Sequence, residues 1–197
     1  MKLDRRSFIR LIPVVAIAVV GGSWWFLRQT AREPTIASQA TATTTKAFDF
    51  PVTWNGDRPT KVNLNDYRLK VDGDVSNPLE LTLEDLHAMA SVQRTLRIQC
   101  VEGWRAWVPW EGVLLSHLLS LAGASLEKIA HITVESVTGY NTTISSDEIA
   151  NSDSMMALKA GGVPLTVEHG YPARLVAPTK LGLDWVKYVR RITCTSK

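Results

Sequence analysis

A thiol, an imidazole and two cations are the side chains best placed by type and spacing to do chemistry. Cys100 ends the run Arg97-Ile98-Gln99 and is followed by Val101-Glu102-Gly103-Trp104. A cysteine leaving a strand into a glycine-containing, aromatic-flanked turn can project into a cleft. A thiolate in that position is a soft ligand for a transition metal, and coordination keeps it deprotonated. Two other fates stay open for it: a small buried core residue, or a disulfide with Cys194 in an oxidising compartment. The second constellation runs His169-Gly170-Tyr171-Pro172-Ala173-Arg174, then Pro178, Gly182 and Trp185-Val186-Lys187. His169, Arg174 and Lys187 can converge on an anion, because Arg offers phosphate a planar fork and Lys a compact charge. Backbone N–H groups around Gly182 can complete such a cradle. The alternative is three solvated surface cations. A nucleophilic Cys100 would need a histidine base. His87, His117 and His131 sit in apolar helix or strand patterns and read as structural, which leaves His169.

The elements that must position these groups follow from local pattern. Tyr67 to Val71 alternates as a strand, Asp72-Gly73 supplies a hairpin turn, and Val75 starts the return. Thr82 with Asp85 forms a capping-box start for a short helix with Leu83 and Leu86 on its apolar side. Thr95 to Gln99 reads as a strand ending at Cys100. Val113 to Ala122 reads as an amphipathic helix with Leu114, Leu118 and Leu121 on one stripe and Gly123 as its stop. Ile132 to Val134 and Tyr140 to Ile144 alternate as strands, and Ser145 with Glu148 caps another helical turn. Arg174 to Ala177 and Val186 to Thr193 are β-rich. Trp104, Trp107 and Trp110 read as core or pocket wall, with electron relays as the alternative. Short strands and short helices without βαβ regularity predict an α+β fold.

Composition narrows the function. The 197 residues suit one domain with a tail, and 45% hydrophobic with 21% charged residues is ordinary globular composition. The net charge of +3 comes from the N-terminus: residues 1–30 hold five basic side chains and one acid, and the other 17 basic and 18 acidic residues sum to −1. That argues against a nucleic-acid-binding face. Two cysteines without a Cys-x-x-Cys spacing exclude a zinc ribbon and a thioredoxin-like motif. Gly161-Gly162 is followed by Val-Pro, so it is no nucleotide loop.

Residues 1–47 read as a targeting segment. A basic start leads into an apolar stretch from Leu11 to Leu27, the layout of an export signal. Arg5-Arg6-Ser7-Phe8 resembles the twin-arginine signal, which carries folded proteins across the bacterial inner membrane. Cleavage near Ala40-Thr41-Ala42 and retention as an N-terminal anchor flanked by Trp24, Trp25 and Arg28 are both open. Residues 30–47 read as a linker, and the folded domain is expected over 48–197.

The run Arg97-x-x-Cys100-Val-Glu-Gly-Trp104, with Val108-Pro-Trp-Glu-Gly-Val113, resembles the molybdenum-ligand segment of the sulfite oxidase family. Within it, the likeness is to bacterial members related to the periplasmic methionine-sulfoxide reductase catalytic subunit, with Gly103 where those carry alanine. His169-Gly-Tyr-Pro-Ala-Arg174-Leu-Val-x-Pro178, followed by Gly182-x-x-Trp-Val-Lys187, is similar to the family's pterin-phosphate segment. The resemblance spans about Tyr67 to Thr193. It implies a mixed, β-rich, sulfite-oxidase-type molybdopterin-binding fold of the α+β class. It implies that Cys100 ligates molybdenum, whose other sulfur ligands come from the dithiolene of a single molybdopterin. His169, Arg174 and Lys187 match positions that hold the pterin and its phosphate, with Trp185 and Val186 contributing backbone contacts and Ser136 near a cofactor-touching position. Tyr140 resembles the tyrosine lining the substrate pocket.

The activity implied is two-electron oxygen-atom transfer on a small sulfite-like or sulfoxide-like substrate, outside the bacterial inner membrane. The chain lacks room for the haem and dimerisation domains of animal sulfite oxidases, so the expectation is a monomer with a separate haem or quinone-linked redox partner. Membrane contact is expected only through the N-terminal segment. Export of folded cargo suits an enzyme that must receive its cofactor in the cytoplasm. The alternatives are a non-catalytic extracytoplasmic anion- or pterin-binding module of the same fold, and a thiol-dependent enzyme built on Cys100.

Overall fold

Strand pairing across the length of the chain defines the architecture in the computed structural model, which describes residues 50–52 and 61–197. The export segment, the linker and the expected domain start at 48 lie outside the described residues. Two sheets carry the fold. The first has the order β2-β1-β10-β5-β6, with β1 Leu69–Gly73, β2 Leu79–Leu81, β5 Ile129–Ser136, β6 Asn141–Ser145 and β10 Val189–Ser196. The second has the order β3-β4-β7-β8, with β3 Val92–Gln99, β4 Arg105–Leu114, β7 Met155–Ala160 and β8 Val163–Pro164, and β9 Arg174–Val176 also pairs with β7. Every pairing is antiparallel except β1 with β10, where Lys70 lies opposite Arg191 and Val71 opposite Ile192. The β-rich α+β expectation is met, with three short helices among the described residues: α1 Leu83–Met89, α2 Leu115–Leu121 and α3 Ser146–Ala150. Among the described residues no helix is long and apolar enough to cross a membrane.

Two helices start where local chemistry dictates. Thr82 Oγ1 accepts from the Asp85 N–H at 3.1 Å, and Asp85 Oδ2 accepts from the Thr82 N–H at 2.9 Å. Ser145 and Glu148 make the same reciprocal pair at 3.2 and 2.9 Å. Each box satisfies two orphan donors and is worth roughly 1 kcal/mol.

Three expectations need correction. The β1–β2 hairpin forms, but Val75 does not begin its return. Residues 74–78 make a longer turn, and Leu69 pairs with Leu81. Gly73 is not a two-residue turn but the last residue of β1, at φ +88, and a Cβ there would lie 2.2 Å from the Cys194 carbonyl oxygen. The helix expected from Val113 begins only at Leu115, because β4 runs to Leu114. Its buried side is Leu115, Leu118 and Leu119, whereas Leu121 is 41% exposed. The aromatic expectation fails at one tryptophan: Trp110 is fully buried and Trp104 half-buried, but Trp107 is 69% exposed. Alternation explains it. Ile98, Val108 and Trp110 occupy the inner face of the β3–β4 ladder, and Arg97, Arg105 and Trp107 the outer. Both cysteines are free, so the disulfide is not formed.

Candidate functional site

The β3–β4 hairpin brings Cys100 to its place. The Cys100 N–H donates to the Trp104 carbonyl at 2.9 Å, and the Gly103 N–H donates back to the Cys100 carbonyl at 3.1 Å, which closes the turn. Cys100 is 5% exposed, with Sγ 3.9 Å from Glu102 Oε2. The same carboxylate oxygen accepts from Trp104 Nε1 at 3.3 Å. Glu102 therefore orients the turn on both sides of the thiol.

Beside this turn lies a narrow pocket open to solvent. Ile98 and Trp104, which flank Cys100 in sequence, form part of its wall. Tyr140, His169, Arg174, Trp185 and Lys187 also line it, so five of the residues singled out by sequence converge on one cavity. Cys100 borders that wall without being part of it. Phe50 is a further wall residue with no signal in sequence. Its ring packs edge-on against His169 at 4.8 Å and Trp110 at 5.7 Å.

Arg174 supplies the buried charge. It stands on β9 opposite Ala157 of β7 and is only 2% exposed. Nη1 donates to the His169 carbonyl at 3.1 Å, while the guanidinium carbon lies 5.2 Å from the Trp110 ring centre and 5.9 Å from that of Trp185. Nε is buried and has no hydrogen-bond partner among the described residues. Burial pulls this guanidinium down to about 10. A cation kept out of water with an unused donor and no paired carboxylate is poised for an anion.

His169 is held by the Thr166 hydroxyl, 2.8 Å from Nδ1. Burial, then the nearby Arg174 charge, lowers it to about 4, so the imidazole is neutral at physiological pH. Gly170 explains how three residues of the second motif meet. At φ +104 its Cα faces Arg174 and Lys187, and a Cβ there would lie 3.0 Å from the Cβ of each. Any side chain at that position would wedge the two cations apart. The Tyr171–Pro172 peptide next to it is cis.

The other sequence-derived residues are placed differently. Tyr140 donates its hydroxyl proton to the Leu183 carbonyl at 2.9 Å, in the 3₁₀ turn Gly182–Asp184. That proton is the only one the hydroxyl has, so donation to a substrate requires this bond to break. Trp185 and Val186 spend their N–H groups on Gly182 and Asp184 at 3.2 and 3.0 Å, and the Val186 carbonyl accepts from Leu175. Ser136 is fully buried at the end of β5 and is not among the residues lining the pocket, although its N–H donates to the carbonyl of Tyr140, which does line it; its Oγ accepts from the Thr138 N–H at 3.2 Å.

No group of three or more His, Cys, Asp or Glu among the described residues could hold a metal ion. Cys100 is thus not part of a cluster of protein metal ligands among those residues. A pocket with a buried, under-used guanidinium, an adjacent Lys187 and aromatic walls fits a phosphorylated organic chelate.

Comparisons with known proteins agree with that fit. The family described as "Oxidoreductase molybdopterin binding domain" matches residues 55–197. YedZ1 of Azospira oryzae is 32% identical over 152 residues, covering 77% of this chain and 58% of that one. The protein-methionine-sulfoxide reductase catalytic subunit MsrP of Xanthomonas axonopodis pv. citri is 30% identical over 151 residues, covering 69% and 47%. The crystal structure of the sulfane dehydrogenase SoxCD from Paracoccus pantotrophus superposes with a TM-score of 0.64 at 30% identity, covering 71% of this chain and 40% of that one. This chain thus spans about half the length of these relatives.

Proposed function

The chain belongs to the molybdopterin-binding oxidoreductase family of the sulfite oxidase type, and from that premise we propose that it works outside the bacterial inner membrane as a molybdenum-dependent oxygen-atom transferase. The substrate is small and sulfite-like or sulfoxide-like. Electrons pass to or from a separate haem or quinone-linked partner. Support for a sulfur substrate comes from the names of MsrP and SoxCD, which both refer to sulfur chemistry. The observation that carries the reading is the pocket itself, where Arg174, His169 and Lys187 meet beside the Cys100 turn.

When bound, the cofactor supplies the two-electron change that accompanies transfer of an oxygen atom. Cys100 would be the protein's ligand to the metal. Arg174 and Lys187 would hold the phosphate, and the Arg174 fork would donate through the Nε now lacking a partner. Neutral His169 would accept or donate a hydrogen bond without adding a third positive charge. Phe50, Trp104 and Trp185 exclude water from the wall, which strengthens each polar contact inside. Tyr140 would position substrate by exchanging its bond to Leu183 for one to an oxygen.

The test is metal analysis of protein made in a host that synthesises molybdopterin. Near-stoichiometric molybdenum is expected, lost in Cys100→Ser while the circular-dichroism spectrum stays that of wild type. Redox titration of the loaded protein should reveal a molybdenum paramagnetic signal. A well-folded wild type that never holds molybdenum or shows that signal supports the non-catalytic module instead. For the location, Arg5→Lys with Arg6→Lys should leave the full chain in the cytoplasm on fractionation.

A further inference from the structure

The outer face of the β3–β4 hairpin has no role in the site described so far, yet it carries the most exposed large hydrophobic side chain among the described residues. Trp107 is 69% exposed. Arg97 is its direct cross-strand partner, and Arg105, two residues away on the same face, is opposite Gln99. Cross-strand and i, i+2 neighbours on one face lie side by side, so the three side chains make one patch. Neither arginine has an ion pair or side-chain hydrogen bond among the described residues, whereas Arg94, Arg190 and Arg191 are each paired with a carboxylate. Val101, 58% exposed, extends the apolar surface at the turn.

The position of the patch gives it meaning. Its strands end in the Cys100–Trp104 turn, and their other face supplies Ile98 to the pocket wall. Whatever seats on this patch is one strand's thickness from the pocket and a few residues from Cys100. Trp and Arg dominate the energetics of protein interfaces, and unpaired charges steer a complementary partner. The occupant must be locally acidic.

A lipid surface fits less well, because electrostatic lipid recognition draws on clusters of about 4–8 basic residues. This face offers two, and the chain after residue 30 has a net charge of −1. We propose that Arg97, Arg105 and Trp107 form the docking surface for an acidic electron-transfer protein. The inference rests on the molybdenum oxidoreductase reading above, whose partner it locates.

Reduced flavodoxin, a small and strongly acidic flavin protein, serves as the probe. One electron leaves its flavin hydroquinone, which becomes the semiquinone, and the oxidised holoenzyme is reduced. Against the full-length holoenzyme, the double variant Arg97→Glu with Arg105→Glu should weaken flavodoxin binding at low salt at least tenfold by calorimetry. It should lower the second-order electron-transfer rate at least tenfold and flatten its salt dependence. Trp107→Ala should weaken binding several-fold, and Arg97→Lys with Arg105→Lys should retain most of it. The cationic methyl viologen radical, which a basic patch does not attract, should not be slowed.

Flavodoxin binding and rate unchanged by charge reversal would overturn the proposal. So would charge reversal abolishing co-sedimentation with phosphatidylglycerol vesicles alone, which assigns the patch to lipid. Self-association of the wild type that Trp107→Ala abolishes, with flavodoxin indifferent, would overturn it in favour of a second copy. Molybdenum content is measured on the same preparations. If the metal is absent the enzyme reading fails, and the binding comparison still decides the docking surface.

Discussion

Replacing Arg174 with methionine separates a binding residue from a structural one. The guanidinium sits at about 10 against an ordinary 12.5 because of burial, which corresponds to about 3 kcal/mol of cost to the charged form at roughly 1.36 kcal/mol per pKa unit. That cost is present in full at neutral pH and is relieved only as pH rises past 10. Opposing it are the bond from Nη1 to the His169 carbonyl, about 1.5–3 kcal/mol for a charged donor, and the two tryptophan faces, about 0.5–2 kcal/mol. The opposing contributions nearly cancel. Urea unfolding of metal-free Arg174→Met should therefore give a stability within about 1 kcal/mol of wild type, with the same denaturant slope. A buried arginine that held the fold through a carboxylate would instead cost about 3–5 kcal/mol on removal. The function appears on adding pyrophosphate as a stand-in for the cofactor's phosphate. At a hundred times its Kd, it should stabilise the wild type by about 2.7 kcal/mol and leave the variant unmoved. A metal-free variant destabilised by more than about 3 kcal/mol would refute the reasoning, as would a pyrophosphate shift that survives the substitution.

Three further outcomes follow from the same geometry. Gly170→Ala should cost at least about 1 kcal/mol from the left-handed backbone alone. By spreading Arg174 and Lys187 it should also lower molybdenum occupancy in metal analysis, while an unchanged occupancy would mean the cations need no such proximity. Because His169 is held near 4 while an unfolded imidazole takes its proton near 6.5, stability should fall as pH drops through that window. The slope should reach at most about 1.4 kcal/mol per pH unit, and His169→Gln should flatten it in metal-free protein followed by thermal melts. Tyr140→Phe should lose about 1 kcal/mol with the bond to Leu183, and on loaded enzyme should raise KM rather than empty the site of metal.

What could be read ahead of the structure was what is local. Both capping boxes are written in four residues each, and both formed. The strand into Cys100 was legible because Gly103 and Trp104 mark its end. His169, Arg174 and Lys187 were legible as a set only through their motif, since nothing in their spacing says they share a cavity. The errors arose where distant partners decide. Leu114, Leu118 and Leu121 have helical spacing, but pairing of Val113 with Met156 and Leu114 with Met155 holds the first of them in a strand. Asp72-Gly73 looks like a turn in isolation; what demands a glycine there is the Cys194 backbone pressed against it. Phe50 carries no motif, and Trp107 differs from Trp104 and Trp110 only in the face its strand parity assigns.

The parallel pairing of β1 with β10 has a consequence for how the protein is made. β10 is the middle strand of its sheet, yet its partner β1 precedes it by more than a hundred residues, as in the Tyr67 hydroxyl bond to the Val189 carbonyl, 122 positions apart. A polypeptide emerging from the ribosome N-terminus first cannot assemble that layer until β10 has emerged. Loop closure over such a separation is also slow. Assembly of the layer therefore waits on one late strand: a chain truncated before 189 would leave the facing margins of β1 and β5 unpaired together, the kind of open edge on which chains misassociate.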